Sequence, residues 1–427
     1  MATPAVAAPV HPTTPSTTNH AGGRGKHQIH WSEGVWKALD HAVLEEMRRT
    51  RVAAKFLPHV HVEKKQTNVA SDIVIVPGLN SPITSPPTIP FDSALSVDES
   101  QTTRIQEYWV TFKMSVAQVE EEEHAEGAMG HHLQHAHPME PAHHEGHGMA
   151  AHPHHHQMMN SHRASTGVSL AMRTANILAQ AEDLVLLNGK NSFNSPLFKG
   201  LGGGPLVQFL DPNLVTNLDN GLLSIDNKGI IHLPSPAQVI PVHPVQPGST
   251  TPPIYAENTL NAVASAFSVL QGLGHYEHYA LALNTVPYAD LHQALKTTLI
   301  EPVEPISHLV KAGIYGSGTL PPFDSNGAGL PQQIDISNDP NHPNPQPLKF
   351  SSAQGGAAAK ILFTGVLVSL SGNTMDHVRG KMEDNLDVIV TFNQKDANEQ
   401  YRFRVVERFC LRLKDPTAVC LLVFLDS

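Results

Sequence analysis

Charge is scarce in this chain. Asp, Glu, Lys and Arg make up only 16% of its 427 residues, and the acids outnumber the bases, leaving a formal balance of −11 with histidine neutral. Such a balance repels phosphate backbones, so no nucleic-acid partner is expected. No run approaches the 18 apolar residues of a membrane-spanning helix, so no membrane partner is expected either. The N-terminus lacks the basic-then-apolar pattern of a secretion signal, which makes the cytoplasm the expected location. Cysteine is nearly absent, with only Cys410 and Cys420. They flank the turn signal Lys414-Asp415-Pro416-Thr417 at equal distance from Asp415. Two readings stand side by side: partners facing each other across a hairpin, or two reduced core thiols, as a cytosolic redox state favours.

Catalytic signatures are missing too. G-x-S-x-G, H-E-x-x-H and C-x-x-C do not occur. The glycine run Gly200–Gly204 precedes no helix of phosphate-binding character and reads as a loop. His275, His278 and His308 have no partner at a metal-ligand spacing. No catalytic residue and no resident cofactor are expected, which points away from an enzyme and toward a structural or binding protein.

What is present is a core with long irregular connections. Hydrophobic residues make up 40%, alongside 30 glycines and 34 prolines. Residues 1–30 are rich in Ala, Pro, Thr and Gly without an apolar period, and read as a disordered tail. Ser32 is placed to cap a helix from Glu33 whose stripe is Trp36, Leu39, Val43 and Met47. The run Arg48, Arg49, Arg51 suits the solvated end of that helix. Val69–Val76 reads as a strand. Val110, Phe112, Met114 and Val116 alternate with polar residues as in a half-buried strand. A long helix begins at Ser165 or Thr166, shows a stripe Leu170, Thr174, Ile177, Ala181, Leu184, and ends at Asn188-Gly189. Helices follow around Leu260–Leu270, from Pro287 and from Pro305, with a strand "HYALALN" between the first two. The last seventy residues read as four strands in a mainly antiparallel sheet: "ILFTGVLVSL", "LDVIVTF", "YRFRVVERFCLRL" and "AVCLLVF". The class is α+β.

These pieces, in this order, resemble a known family. "WSEGVWKALDHAVLEEMRRTRVAAKFL" resembles the first helix of encapsulins, the linocin-like shell proteins of prokaryotic nanocompartments. "EYWVTFKMSV", "AMRTANILAQAEDLVLLNG", "LALNTVPYADL", "ISHLVKAGIYGSGTLP" and "GVLVSL…VVERFCLRLKDPTAVCLLVF" follow as the family's later elements do, with Glu407 and Pro416 at matching places. The resemblance covers about two thirds of residues 31–427.

It implies a Hong Kong 97-type phage major capsid fold with an N-terminal helix, an extended loop, a peripheral domain with a spine helix, and an axial domain. The implied boundaries are a tail at 1–30, the N-terminal helix and start of the peripheral domain at 31–65, and the extended loop at 66–119. A histidine-rich insertion follows at 120–163, then the spine helix with inserted strands at 164–254. The axial domain spans 255–371, with an insertion near 315–358, and peripheral C-terminal strands close the chain at 372–427. The implied function is a shell subunit that self-assembles into an icosahedral compartment around a cargo protein carrying a targeting peptide. A tailed-phage or prophage capsid protein is the alternative, and a metal-binding enzyme a minor one.

The resemblance also carries sites onto this chain. Leu39, Val43, Met47 and Phe56 fall where cargo peptides bind, although the family's charged groove positions are Ala54 and Pro58 here. Val110, Phe112 and Met114 fall on the extended loop as assembly anchors to a neighbouring subunit. Glu301, Pro302, Val303 and Glu304 fall on the loop around the five-fold axis, as pore residues.

Thirteen of the 28 histidines lie between His124 and His162. Among them are His131, His132, His135, His137, His143, His144, His154, His155 and His156. Gly, Pro, Ala and Met fill the tract without an amphipathic period, so a disordered insert is expected. Scattered, redundant imidazoles do not form one ordered site. They are expected to bind divalent metal loosely, and to release it as they protonate near pH 6.

Overall fold

The computed structural model describes residues 29–122, 166–246, 253–320, 361–380 and 400–426, except 30, 64, 72, 76–95, 99–101, 201–203, 211–220, 225–232, 296–298 and 373, together with strands at 334–335, 347–348 and 388–390. The tail, the histidine tract and most of the insertion near 315–358 lie outside the described residues.

Helix α1 (Glu33–Thr50) starts where the sequence predicts: the Ser32 hydroxyl accepts a hydrogen bond from the Val35 N–H at 3.3 Å, satisfying one of the free donors of the first turn. Its buried stripe includes Trp36, Leu39, Val43 and Met47, as the spacing predicts. A turn and the short α2 (Ala53–Phe56) follow. α1 packs on the long helix α4 (Thr166–Asn188), which ends at Asn188 with Gly189 at a φ of +52°.

The buried face of α4 differs from the expected stripe. Ala171, Ala175, Leu178, Ala181 and Val185 are buried with Thr174, whereas Leu170, Ile177 and Leu184 are only half-buried. The helix is pressed between α1 and a sheet, so its small residues take the closest contacts and its bulkier ones fill the flanks.

That sheet has the order β1 (His59–Val62), β14 (Met375–Gly380), β16 (Gln400–Leu413), β6 (Gln106–Ser115), β7 (Val207–Phe209), with β15 (Val388–Val390) also paired to β16. β6 and β16 run antiparallel from Gln106 opposite Phe409 to Ser115 opposite Gln400. Alternate residues of β6 point inward, as predicted, but Val116 already belongs to a helix over 116–122 (α3). Trp31 donates to the Val119 carbonyl at 2.8 Å, and the Glu122 carboxylate accepts from Gly167 N–H at 2.7 Å. Residues 122 and 167 are therefore adjacent, and the histidine tract leaves and rejoins the body at one point.

The second sheet has the order β10 (Ile314–Ser317), β9 (Tyr279–Asn284), β13 (Ile361–Ser369), β17 (Val419–Leu425), β8 (Val239–Val242). α6 (Ala256–Gly272), α7 (Thr285–Leu291) and α8 (Val303–Leu309) accompany it, and α6 packs against β8, β13 and β17. Every residue of β9 and β17 is buried.

Two expectations are corrected by this topology, and one of the two readings of the cysteines is borne out. The C-terminal strands do not make one sheet: β13 and β17 lie in the second sheet, β14, β15 and β16 in the first. β8 also joins the second sheet, so that unit starts before residue 255. Cys410 and Cys420 sit in different sheets, opposite Val378 and Leu367, as buried thiols outside any disulfide, which is the core-thiol reading. Burial pushes the Cys420 thiol up to about 12, which keeps it protonated and inert.

The expected strand 69–76 is two strands. β2 (Asn68–Ala70) pairs with β5 (Thr102–Arg104), and β3 (Ile73–Ile75) with β4 (Ser96–Asp98), forming a two-stranded ribbon outside both sheets. The ribbon ends at Arg104, so β6 is body rather than extended loop. Phe403 of β16 is fully buried and stacked between Trp31 and Phe112, at ring distances of 5.4 and 4.8 Å. Phe403→Ala should therefore cost about 3–5 kcal/mol of subunit stability, read as a lower urea midpoint with an unchanged slope.

Candidate functional site

Beneath α1, five elements converge on a buried ionic cluster. Arg51, in the turn between α1 and α2, donates to Glu407 of β16 at 2.6 Å and pairs with Glu182 of α4. Arg379 of β14 also pairs with Glu407. His377, also on β14, is fully buried with Nε2 3.0 Å from a Glu182 oxygen. His59 of β1 lies opposite, its ring 5.1 Å from that of His377. The main-chain N–H groups of Val52 and Ala53 donate to the Asp183 carboxylate at 2.8–3.0 Å, which caps α2.

Burial alone would raise the Glu182 carboxyl, but Arg51, His377 and Arg379 together hold it down at about 2. Asp183 goes the other way, to about 7, driven by burial and by the adjacent Glu182 charge. A second buried group lies on the opposite face of the first sheet, where Asp376 receives Arg412 and Lys414, the latter at 2.8 Å. Here Arg408 and Arg412 also donate to the carbonyls of Gln66 and Ala70, at 3.0 and 3.3 Å, and so fasten the root of the ribbon to β16.

None of these ionic residues was assigned a site from sequence. A signal existed: Glu182-Asp183 interrupts an otherwise uncharged stretch from Thr174 to Gly189, and Glu407 falls on the inward-facing register of β16. Arg51, expected at a solvated helix end, is only 9% exposed.

The expected sites fare differently. Leu39, Val43 and Met47 are 0–1% exposed and Phe56 7%, all within the subunit's own core. They offer a peptide no surface, and the cargo-groove assignment falls, because α4 and the first sheet already fill that face of α1. Val110, Phe112 and Met114 are likewise core residues, 1–7% exposed, on a strand whose side chains bury inward. They are not anchors for a neighbour. At the expected pore, Pro302 is buried, Glu301 and Val303 are half-buried, and Glu304 is exposed at the start of α8. His275 is buried, 2.9 Å from the Thr417 hydroxyl, while His278 and His308 are exposed. The nine histidines named in the tract lie outside the described residues. Among the described residues no group of three or more His, Cys, Asp or Glu is placed to hold a metal, and no helix is long and apolar enough to cross a membrane.

No family model and no curated protein matches the chain. Among solved structures, a virus-like particle from Pyrococcus furiosus aligns over 92% of this chain and 100% of its own, at 13% identity and a TM-score of 0.47. The SrpI encapsulin complex from Synechococcus elongatus aligns over 88% of each chain, at 8% identity and a TM-score of 0.41. The capsid of an empty GTA particle aligns over 88% of this chain and 90% of its own, at 12% identity and a TM-score of 0.39. Each of these three TM-scores is below 0.5. N-terminal helix, two-stranded ribbon, long spine helix, and a second sheet with its own helices follow in the order that the sequence resemblance implies. The fold class is α+β.

Removing one partner of the ionic cluster strands the others in the core. Glu182→Gln should cost about 3–5 kcal/mol, measured by chemical denaturation at pH 7. The two acids give opposite pH signatures. Glu182, depressed in the fold, contributes stability that is present above pH 4.5 and lost as pH falls toward 2. Asp183, raised in the fold, contributes stability that is present below pH 3.8 and lost as pH rises through about 7. Asp183→Asn should flatten the stability profile between about pH 4 and 7.

Proposed function

We propose that this chain is the subunit of a closed protein shell that encloses a cargo protein, with no catalysis of its own. One observation carries the reading: the ribbon. Two ladders of three residues each, outside both sheets, cannot hold themselves extended in water, since an isolated two-stranded hairpin is marginally stable at best. Its root is bolted to the body by Arg408 and Arg412, so it is aimed rather than loose. A ribbon of that kind fits a subunit whose neighbour completes it.

Recognition of cargo through a targeting peptide remains part of this reading, at a surface other than the buried face of α1. The turn ahead of α8 is proposed to face a symmetry axis with Glu304 as its exposed acid, where a ring of copies would favour cations. The histidine tract is proposed as a loose store for divalent metal at the point where it leaves the body.

Electron microscopy of the purified protein tests the shell. Uniform hollow particles are expected, with an ultraviolet spectrum free of nucleic acid. Particles filled with nucleic acid would favour the phage-capsid alternative, and only monomers would sink the reading. Replacing residues 72–100 with a short Gly-Ser turn should leave a folded subunit with unchanged far-ultraviolet dichroism that no longer closes shells. Deleting residues 124–162 should leave shells intact but sharply lower the zinc bound per particle at pH 7.5. Equal zinc retention would refute the store.

A further inference from the structure

β1 reads His59-Val60-His61-Val62, and its alternation splits two kinds of side chain between two faces. Val60 and Val62 turn toward the ribbon root, in a small apolar cluster with Val69, Ile105, Val378 and Cys410. The histidines turn the other way. The parallel ladder to β14 pairs His59 with His377 and His61 with Arg379. Both histidines are exposed, and the ladder partner of each is a base or a fixed cation.

His59 is the member of these pairs on which burial, the facing His377 and Arg379 act against a charge. A proton on His59 adds a charge that His377 and Arg379 oppose, and like charges opposite each other destabilise strand pairing. Glu182 offsets this only in part. Glu182 already serves Arg51 and His377, and Glu407 serves Arg51 and Arg379. Asp183 accepts from Val52 and Ala53 N–H. On the other face, the Arg408 side chain lies against Gly380. Glu63 lies just past the end of β1.

We infer that the β1–β14 ladder is an acid-sensitive hinge at the root of the ribbon. The strand is well placed for the part. It is an edge strand four residues long, held by one ladder on one side. It follows α2, and the chain past it enters the ribbon at Asn68. Protonation of His59 opens the ladder from its first pair and frees the ribbon from its fixed direction. The sign follows from linkage: burial, His377 and Arg379 hold the His59 imidazole below its ordinary value, so the ladder is strongest above the usual imidazole range and weakens as pH falls through it. The hinge rests on the ladder alone, and only its consequence for shell closure rests on the shell reading.

Amide hydrogen exchange at residues 59–62, corrected for the intrinsic pH dependence of exchange, tests it. Between pH 7.5 and 5.5 the protection of the natural chain should fall roughly fivefold. In His59→Gln with His61→Gln, protection should be equal at the two pH values. His59→Gln alone serves should the double variant fold poorly. Unchanged protection in the natural chain, or a pH-dependent loss that survives the substitutions, would overturn the hinge. Free and assembled subunits can both be read, so failure of the hinge and failure to form shells are separate results.

Discussion

The subunit is organised around one guanidinium. Arg51 sits where α1 gives way to α2, almost wholly out of water, and holds Glu182 on the spine helix and Glu407 on β16 at once. A charge so placed is tolerable only if its partners are fixed and its donors engaged. The fold meets that condition by making the partners part of its two most rigid elements. Arg379 and His377 then occupy the remaining sides of the same two carboxylates. The angle of the N-terminal helix, the height of the spine helix over the sheet and the register of β14 on β16 are therefore set together. A shift in one would leave a charge unpaired in another. Such a cluster adds little net stability over an apolar one of equal volume, but it excludes slipped arrangements.

From this anchor outward the structure grows less self-sufficient. The two sheets share the C-terminal chain, which crosses from β13 to β14 and back from β16 to β17, so neither can form without the other. The ribbon depends on the first sheet through Arg408 and Arg412, and past that root its strands pair only with each other. The edge strand β1 lies between these regimes, packed by valines on one face and bordered by bases on the other. Order thus falls from the body to the ribbon, and the parts that need a neighbour are the ones the subunit holds most weakly.

Much of this was legible in the chain. α1 with its Ser32 cap and its apolar stripe, the spine helix with its Gly189 end, and the alternation of β6 all follow from local rules. What the same residues do was less legible. An apolar stripe on α1 looks the same whether it meets a cargo peptide or the spine helix, and only burial decides that Val43 and Met47 pack inward. β14 was missed because "MDHVRG" carries three polar or charged residues that sequence rules send to water. Asp376 and His377 are buried there, and Arg379 half-buried, because partners from α4 and β16 meet them.

The sequence by itself determined the elements, their order, and through that order the α+β class, because capping, periodicity and turn chemistry act over a few residues. Tertiary structure decided the rest. It assigned β17 to one sheet and β16 to the other, and so separated Cys410 from Cys420. It turned Arg51 from a solvated helix end into the centre of the core, and it ended the ribbon at Arg104. Those outcomes depend on contacts between residues as far apart as Arg51 and Glu407, and no local pattern encodes the distance between them.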